Sequence, residues 1–447
     1  MYKIYKSRAG NSYIYDNVTN NIYSVDKNDI ESLPEMGETA LLEKIDSKFY
    51  KSIYSDDIDF SILRCRPKVE YSTDMPEVLV IELTQQCNFR CEYCVYSGHY
   101  FYERKHNSKD MSDVLIGQIV QKFFKSKDYP KNVSFYGGEP LLKFDVIEKF
   151  VHSIENLGLD VDFFITTNGA LLTDKSILDF IVSHRFHINI SFDGLNNDLY
   201  RKRLDGGISS IMIESVIKEL LENNPKYVNE RVKLSVTLTP PYRLYDNAKY
   251  FERHSIYSKL NMLVNTVNIE DNDFIYNFDM KEENKRMRED YLKLADYFID
   301  TEEKDLSYFL KALFLRPLLR IEERKMGIPS EMNRVGCCIP GKQRLYINTE
   351  GDYYMCERVG NYSKLGSVKE GISMPCVIAV QNEIDNLIWE KCSTCYLSRI
   401  CNFCFSVFRE GNVLTSKERV NRICNRQKEW FDFLFYVFLS KKELEDK

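Results

Sequence analysis

Cys87, Cys91 and Cys94 stand together in the run Cys87-Asn88-Phe89-Arg90-Cys91-Glu92-Tyr93-Cys94. Three thiolates at this spacing can hold one side of a small metal cluster and leave one corner open. Iron–sulfur clusters select thiolate ligands, and an open iron can bind and activate a further molecule. The competing reading is a structural zinc site, which needs four ligands. His99 would complete it as Cys-x3-Cys-x2-Cys-x4-His. A second set of cysteines lies near the other end of the chain: Cys337, Cys338, Cys356, Cys392, Cys395, Cys401, Cys404 and Cys424. The region around them is thin in apolar periodicity, and bound metal would substitute for a missing core. Cys-x2-Cys pairs taken alone would favour a pair of zinc ribbons there. Cys65 and Cys376 stand alone; single cysteines are usually small buried hydrophobes, and these two are assigned no function.

These residues need a scaffold. From Val78 onward, short apolar runs alternate with amphipathic helical stretches. Val78–Leu83, Val133–Tyr136, Val161–Thr166, Ile188–Phe192, Val232–Leu238 and Met262–Val267 read as strands. Met111–Phe124, Val146–Leu157, Lys175–Ser183 and Ile211–Glu222 read as helices between them. Repeated βα units imply an α/β fold with a parallel sheet and right-handed crossovers. Six strands are too few for a full eight-stranded barrel, so the expectation is a partial (β/α)6 barrel. Its chemistry belongs at the C-terminal ends of the strands. The three-cysteine run follows the first strand directly. Tyr136-Gly137-Gly138-Glu139-Pro140, Thr166-Thr167-Asn168-Gly169 and Ser191-Phe192-Asp193-Gly194 end the next three. Each motif alone reads as an ordinary polar turn, but four polar strand ends on one rim read as a site.

Residues 1–74 look like a separate small unit. Ser12–Asp16 and Ile22–Asp26 alternate around a turn as a β-hairpin, and Leu41, Leu42, Ile45 and Phe49 recur at helical spacing. Residues 75–280 hold the barrel, 281–336 a helical bridge and 337–447 the cysteine-rich region. The formal net charge of −6 gives no general case for nucleic-acid binding. No apolar run is long enough to span a membrane. The first residues lack the apolar stretch of a secretory signal. Tight cysteine clusters without an export signal point to a reducing, cytoplasmic setting and to metal rather than disulfides.

On these motifs and their order, residues from about 78 to 424 resemble the radical S-adenosylmethionine (SAM) enzymes. The resemblance implies that Cys87, Cys91 and Cys94 hold a 4Fe–4S cluster whose open iron chelates SAM. Reductive cleavage then gives a 5′-deoxyadenosyl radical that takes hydrogen from the substrate. It implies that Gly137, Gly138 and Glu139 bind the methionine amino group, that Asn168, Ser191 and Arg203 contact ribose or carboxylate, and that Tyr93 lies near adenine. The cysteine-rich region resembles the SPASM extension, which implies two auxiliary 4Fe–4S clusters and three clusters in all. Cys392, Cys395, Cys401 and Cys424 would hold the distal one. Cys338, Cys356 and Cys404 would hold the proximal one, with Cys337 in the alternative reading of the doublet. The segment from Cys338 to Gly360 is similar to maturases of ribosomally made peptides, which install thioether or carbon–carbon crosslinks. The resemblance implies a winged-helix-like leader-recognition element in residues 1–74, a precursor peptide as substrate and a flavodoxin or ferredoxin as electron donor. Sulfatase-type maturation, epimerisation and a non-catalytic metal-binding role are the alternatives.

Overall fold

The computed structural model describes residues 2–26, 75–101, 104–327, 338–359, 362–402, 404–410, 413–414 and 416–446. The helical pattern expected at 41–49, most of the expected leader-recognition element, and Cys337 lie outside these residues. The chain opens with three antiparallel strands, β1 (Tyr2–Lys6), β2 (Ser12–Asp16) and β3 (Asn21–Val25). The expected hairpin is β2–β3, and its turn is organised by Asp16. That carboxylate accepts hydrogen bonds from the Val18 and Thr19 amides, each at 3.0 Å. Sequence alternation did not single out β1.

The main sheet then builds up with β4 (Val78–Thr84), β6 (Asn132–Gly137), β7 (Asp162–Thr167), β8 (His187–Ser191), β10 (Val232–Leu238) and β11 (Asn261–Thr266), all parallel. β5 (Phe89–Cys91) and β9 (Arg201–Arg203) form a separate ribbon. On the far side of β4 the sheet continues through β12 (Arg344–Ile347), β13 (Asp352–Tyr354), β14 (Gly366–Ser367) and β15 (Gly371–Ile372). The full order is β11-β10-β8-β7-β6-β4-β12-β13-β14-β15, with β12 parallel to β4 and the last three antiparallel. Among the described residues the six barrel strands do not close on themselves. The free edge of β4 is instead satisfied by β12, which removes an exposed ladder and joins the cysteine-rich region to the barrel through backbone hydrogen bonds.

Helices α1 (Asp113–Phe124), α2 (Phe144–Asn156), α3 (Lys175–Ser183), α4 (Ser209–Asn223) and α5 (Leu244–Arg253) alternate with the strands. α2 shows the logic: Val146, Ile147, Phe150, Val151 and Ile154 recur at helical spacing and are all buried. Each such side chain contributes about 1.5–3 kcal/mol by leaving water. Along β6, β7, β8 and β10 burial alternates residue by residue. Val133, Phe135, Phe163, Ile165, Ile188, Ile190, Leu234 and Val236 are sealed on one face. Ser134, Tyr136, Thr166, Asn189, Ser191, Ser235 and Thr237 are half-buried on the other. A parallel sheet covered by core on both sides reads as continuous apolar runs. This one keeps a half-buried polar face.

α6 (Met280–Asp300), α7 (Met374–Cys392) and α8 (Lys417–Glu445) complete the described helical framework at the C-terminal side, together with shorter helical turns. α8 buries Phe431, Leu434, Phe435, Val437 and Leu439, and Tyr5 of β1 stacks on Phe435 at 4.2 Å. Asn17 donates to Ser398 at 3.1 Å and Arg399 to the Val18 carbonyl at 2.8 Å. The N-terminal sheet therefore packs on α8 and on the turn between Cys395 and Cys401.

Candidate functional site

The cysteine loop leaves β4 at Thr84 and is held in three ways. β5 pairs with β9, setting Cys91 opposite Arg201. The Arg201 guanidinium is buried and donates to the Tyr93 hydroxyl at 2.9 Å. Tyr93 in turn donates to Asp193, whose other oxygen accepts the Thr237 amide at 2.8 Å. A chain of charged and polar groups thus runs beneath the loop from β9 to β10. Burial pushes the Asp193 carboxyl up, and the neighbouring Arg201 charge pulls it back.

The sulphurs accept hydrogen bonds in a buried setting. The Phe89 amide donates to Cys87 Sγ at 3.3 Å, the Tyr96 amide to Cys94 Sγ at 3.4 Å, and Asn168 Nδ2 to Cys87 Sγ at 3.8 Å. Arg201 stands electrostatically next to Cys91 and Cys94. Burial pushes the Cys87 thiol up to about 12 and the Cys91 thiol to about 11, with Cys94 shifted the same way. Deprotonating all three needs a cation among them, which a cluster provides. A mononuclear zinc site would gather its sulphurs to about 3.8 Å apart, given Zn–S bonds of about 2.3 Å. Among the described residues, no three ligand atoms at this loop lie within 4.8 Å of one another. His99, the fourth ligand of the zinc reading, has Nδ1 2.7 Å from Asp273 Oδ1. The donor set and its spread therefore fit a cluster better than a single ion.

The next strand end is pressed against this loop. A Cβ on Gly137 would lie 2.2 Å from the Thr84 carbonyl oxygen, and one on Gly138 2.1 Å from that of Gln86. Gly137 also holds φ +146°, so glycine is required twice over. The contact is made by the Gly138 amide to Thr84 O at 2.9 Å and the Glu139 amide to Gln86 O at 2.8 Å. The Glu139 side chain is buried and accepts from Thr167 Oγ1 at 2.8 Å, the Asn168 amide at 2.8 Å and the Leu141 amide at 3.1 Å. Burial pushes its carboxyl up to about 6 against these donors. Asn168 closes the ring by donating to Asn88 Oδ1 at 2.7 Å.

Cys87, Gly137, Gly138, Glu139 and Asn168 thus come together. Tyr93 lies under the loop. Ser191 ends β8 on the polar face, in register with Ser235 of β10. Arg203 behaves differently: its guanidinium forks onto Asp205, with Nε 2.8 Å from Oδ1, and lies against Met212. Arg201, two residues earlier, is the arginine turned inward. No spacing rule separates the two; their burial and their partners in the folded chain do. Asp193 sat inside a motif but was not itself a candidate.

A second buried cluster joins this site to the C-terminal cysteines. Arg104 donates to the Tyr346 hydroxyl and to the Glu357 carbonyl, lies 3.6 Å from Glu82, and faces the rings of Tyr96 and Tyr346 at 4.9 and 5.0 Å. Glu82 also accepts from Tyr96, from Gln85 at 3.1 Å and from the Thr349 amide at 3.2 Å. An acid inside the apolar run Val78–Leu83 was the sequence signal for this cluster. Glu357 follows Cys356 and pairs with Arg344 at 2.7 Å. Burial pushes the Cys356 thiol up to about 12, with Glu357, Cys404 and Cys338 as its charged neighbours. Cys424 on α8 has Cys395 as its neighbour, and the Cys395 amide donates to Cys392 O at 3.2 Å. The C-terminal sulphurs thus show two neighbourhoods, one around Cys356 and one around Cys395.

Residues 81–241 match the radical SAM superfamily, so the chain carries a radical SAM domain. The radical SAM cyclopropyl synthase TigE of Paramaledivibacter caminithermalis is 27% identical over 165 residues, 34% of each chain. The GTP 3′,8-cyclase of Aliarcobacter butzleri is 28% identical over 37% of this chain and 46% of its own. The chain spans a third to under half of the length of the curated relatives it matches first. The solved structure of native anSMEcpe with bound AdoMet covers 83% of this chain and 99% of that one, at a TM-score of 0.58 and 19% identity. The same protein with bound AdoMet and Kp18Cys peptide aligns at a TM-score of 0.56 and 20% identity. These structures share the fold.

Proposed function

We propose that this radical SAM enzyme is a peptide maturase that installs a crosslink, a cysteine thioether, in a ribosomally made precursor. The observation that carries the reading is the pairing of two sulphur sites. The loop of Cys87, Cys91 and Cys94 is bridged through Arg104 to the Cys338, Cys356 and Cys404 neighbourhood, across a polar sheet face. A cluster on the loop with SAM at its open iron supplies one-electron cleavage and a hydrogen-abstracting carbon radical. The chain's residues supply the rest. Glu139 offers a carboxylate to the methionine ammonium, and Asn168 fixes that carboxylate while donating toward Cys87. Arg201, Tyr93 and Asp193 hold the loop, and Ser191 lines the rim. Auxiliary clusters on the C-terminal cysteines would accept the electron left when the substrate carbon radical forms its new bond. The leader would add to an edge strand of the N-terminal sheet by strand augmentation, and a flavodoxin or ferredoxin would supply the reducing electron.

A structural neighbour holding AdoMet with a Cys-containing peptide supports a peptide substrate. GTP cyclases are among the relatives, each matching about a third of this chain, so a nucleotide substrate is the competing outcome. Anaerobically reconstituted, reduced protein with SAM should form 5′-deoxyadenosine. With its precursor it should give a peptide lighter by two hydrogens per crosslink and resistant to alkylation at the joined cysteine. Turnover of GTP, an unchanged mass with inverted stereocentres, or a lighter product with every cysteine alkylatable would each reject the thioether reading.

A further inference from the structure

We propose that His152, Glu155 and His184 form a binding site for one divalent transition-metal ion of the zinc type, on the helix layer and apart from the cysteine sites. His152 and Glu155 stand one turn apart near the end of α2, and His184 caps the C-terminus of α3. One ligand atom from each lies within 4.8 Å of the others. His152 Nδ1 is 3.0 Å from Glu155 Oε2, and His184 Nε2 is 3.3 Å from Glu155 Oε1. Tetrahedral zinc with bonds of about 2.0–2.2 Å sets neighbouring ligand atoms about 3.3–3.5 Å apart. The two contacts, one to each oxygen of Glu155, are near that edge length.

The tautomer of His184 makes the case sharper. Its Nδ1 lies 2.9 Å from the Phe180 carbonyl oxygen. A carbonyl oxygen only accepts, so Nδ1 carries the hydrogen, and in the neutral ring Nε2 presents a bare lone pair. The atom it faces is a carboxylate oxygen, also an acceptor. Two acceptors at this distance call for a cation between them. A metal ion fills that role. An Nδ1–H donating to a carbonyl is also the arrangement that orients metal-binding histidines.

The site is rigid. The Phe180 ring stacks on His184 with centroids 3.9 Å apart and meets His152 edge-on at 5.7 Å. Phe144 packs edge-on against Phe180 at 5.2 Å. Two imidazoles and one carboxylate suit zinc, cobalt, nickel or copper rather than magnesium or calcium. His152 and Glu155 are about half exposed, leaving a path for the ion and for a water to complete its coordination. A bound ion would staple α2 to α3.

The test uses the iron-loaded holoprotein, dialysed anaerobically against zinc at neutral pH, with metal analysis and zinc-edge X-ray absorption. One zinc per chain is expected with iron unchanged, surrounded by nitrogen and oxygen only, with the outer-shell signature of two imidazoles. His184→Ala and, separately, Glu155→Gln should weaken binding roughly tenfold or more while retaining iron and deoxyadenosine formation. His152→Ala serves as the replacement variant if one of these loses its iron. No added zinc, zinc with sulphur neighbours, zinc gained at the expense of iron, or equal binding in folded variants would overturn the site.

Discussion

Replacing Gly138 with Ala should separate the cysteine loop from the strand that braces it. The new Cβ would sit 2.1 Å from the Gln86 carbonyl oxygen, 2.6 Å from its carbon and 3.2 Å from Cys87 Cβ. Ordinary contact begins near 3.4 Å, so the two backbones must part by about 1 Å or more. The obstructing atoms are main chain, and no side chain can swing aside. That movement breaks the Glu139 amide bond to Gln86 O, now 2.8 Å, at a cost of about 1 kcal/mol. The overpacking strain adds about 1–3 kcal/mol. The expected loss is therefore about 2–4 kcal/mol, read as a lower urea midpoint. The change falls on the backbone that carries Cys87, so iron should fall as well. If the chain holds three 4Fe–4S clusters as proposed, it carries about twelve irons, and about a third of them should be lost. Gly117→Ala is the control. It lies exposed within α1 with nothing within 4 Å of its Cβ position, and the helix should gain about 0.5–1 kcal/mol. A Gly138→Ala protein with wild-type midpoint, full iron and normal SAM cleavage would refute the account of why two glycines stand there.

Other outcomes follow from the same geometry. If the C-terminal cysteines hold two further clusters as proposed, replacing Cys87, Cys91 and Cys94 together by Ala should remove about a third of the iron and all SAM cleavage; tightly bound zinc without iron–sulfur absorbance would reject the cluster assignment. Arg104→Met leaves Glu82 buried without its cation and should cost about 3–5 kcal/mol. Adding Glu82→Gln should restore part of that in a urea melt, and additive losses would show the two are not coupled. Glu139 is protonated more readily in the folded chain, its carboxyl raised from 4.5 to about 6. Its neutral form therefore adds up to about 2 kcal/mol of stability to the unliganded protein at low pH, lost as pH rises through about 6. SAM affinity should run the other way, falling as pH drops through about 6 because the ammonium needs the carboxylate. Glu139→Gln should bind SAM weakly and flatten that dependence in a binding titration.

Much of the architecture was legible before any coordinates. Six strands appear within a residue or so of where apolar runs placed them, because burial on the helix side imposes a pattern that local sequence carries. The cysteines, Gly137-Gly138-Glu139 and Asn168 announced themselves because special chemistry and forced backbone contacts restrict residue type at fixed positions. What sequence could not show were relations between distant segments. Arg201 and Arg203 look equivalent in sequence, yet in the folded chain one is buried beside Cys91 and Tyr93 while the other forks onto Asp205. β12 joins β4 across more than 250 residues, a register written in backbone hydrogen bonds that carry no residue identity. The seating of β1 and β2 on α8 rests on Tyr5 and Tyr15 meeting Phe435, aromatic side chains with no periodic signature in common. Local pattern fixes which residues are apolar, capped or glycine. Which charges neutralise one another is decided only when the chain closes in three dimensions, since electrostatic partners are chosen by distance in space.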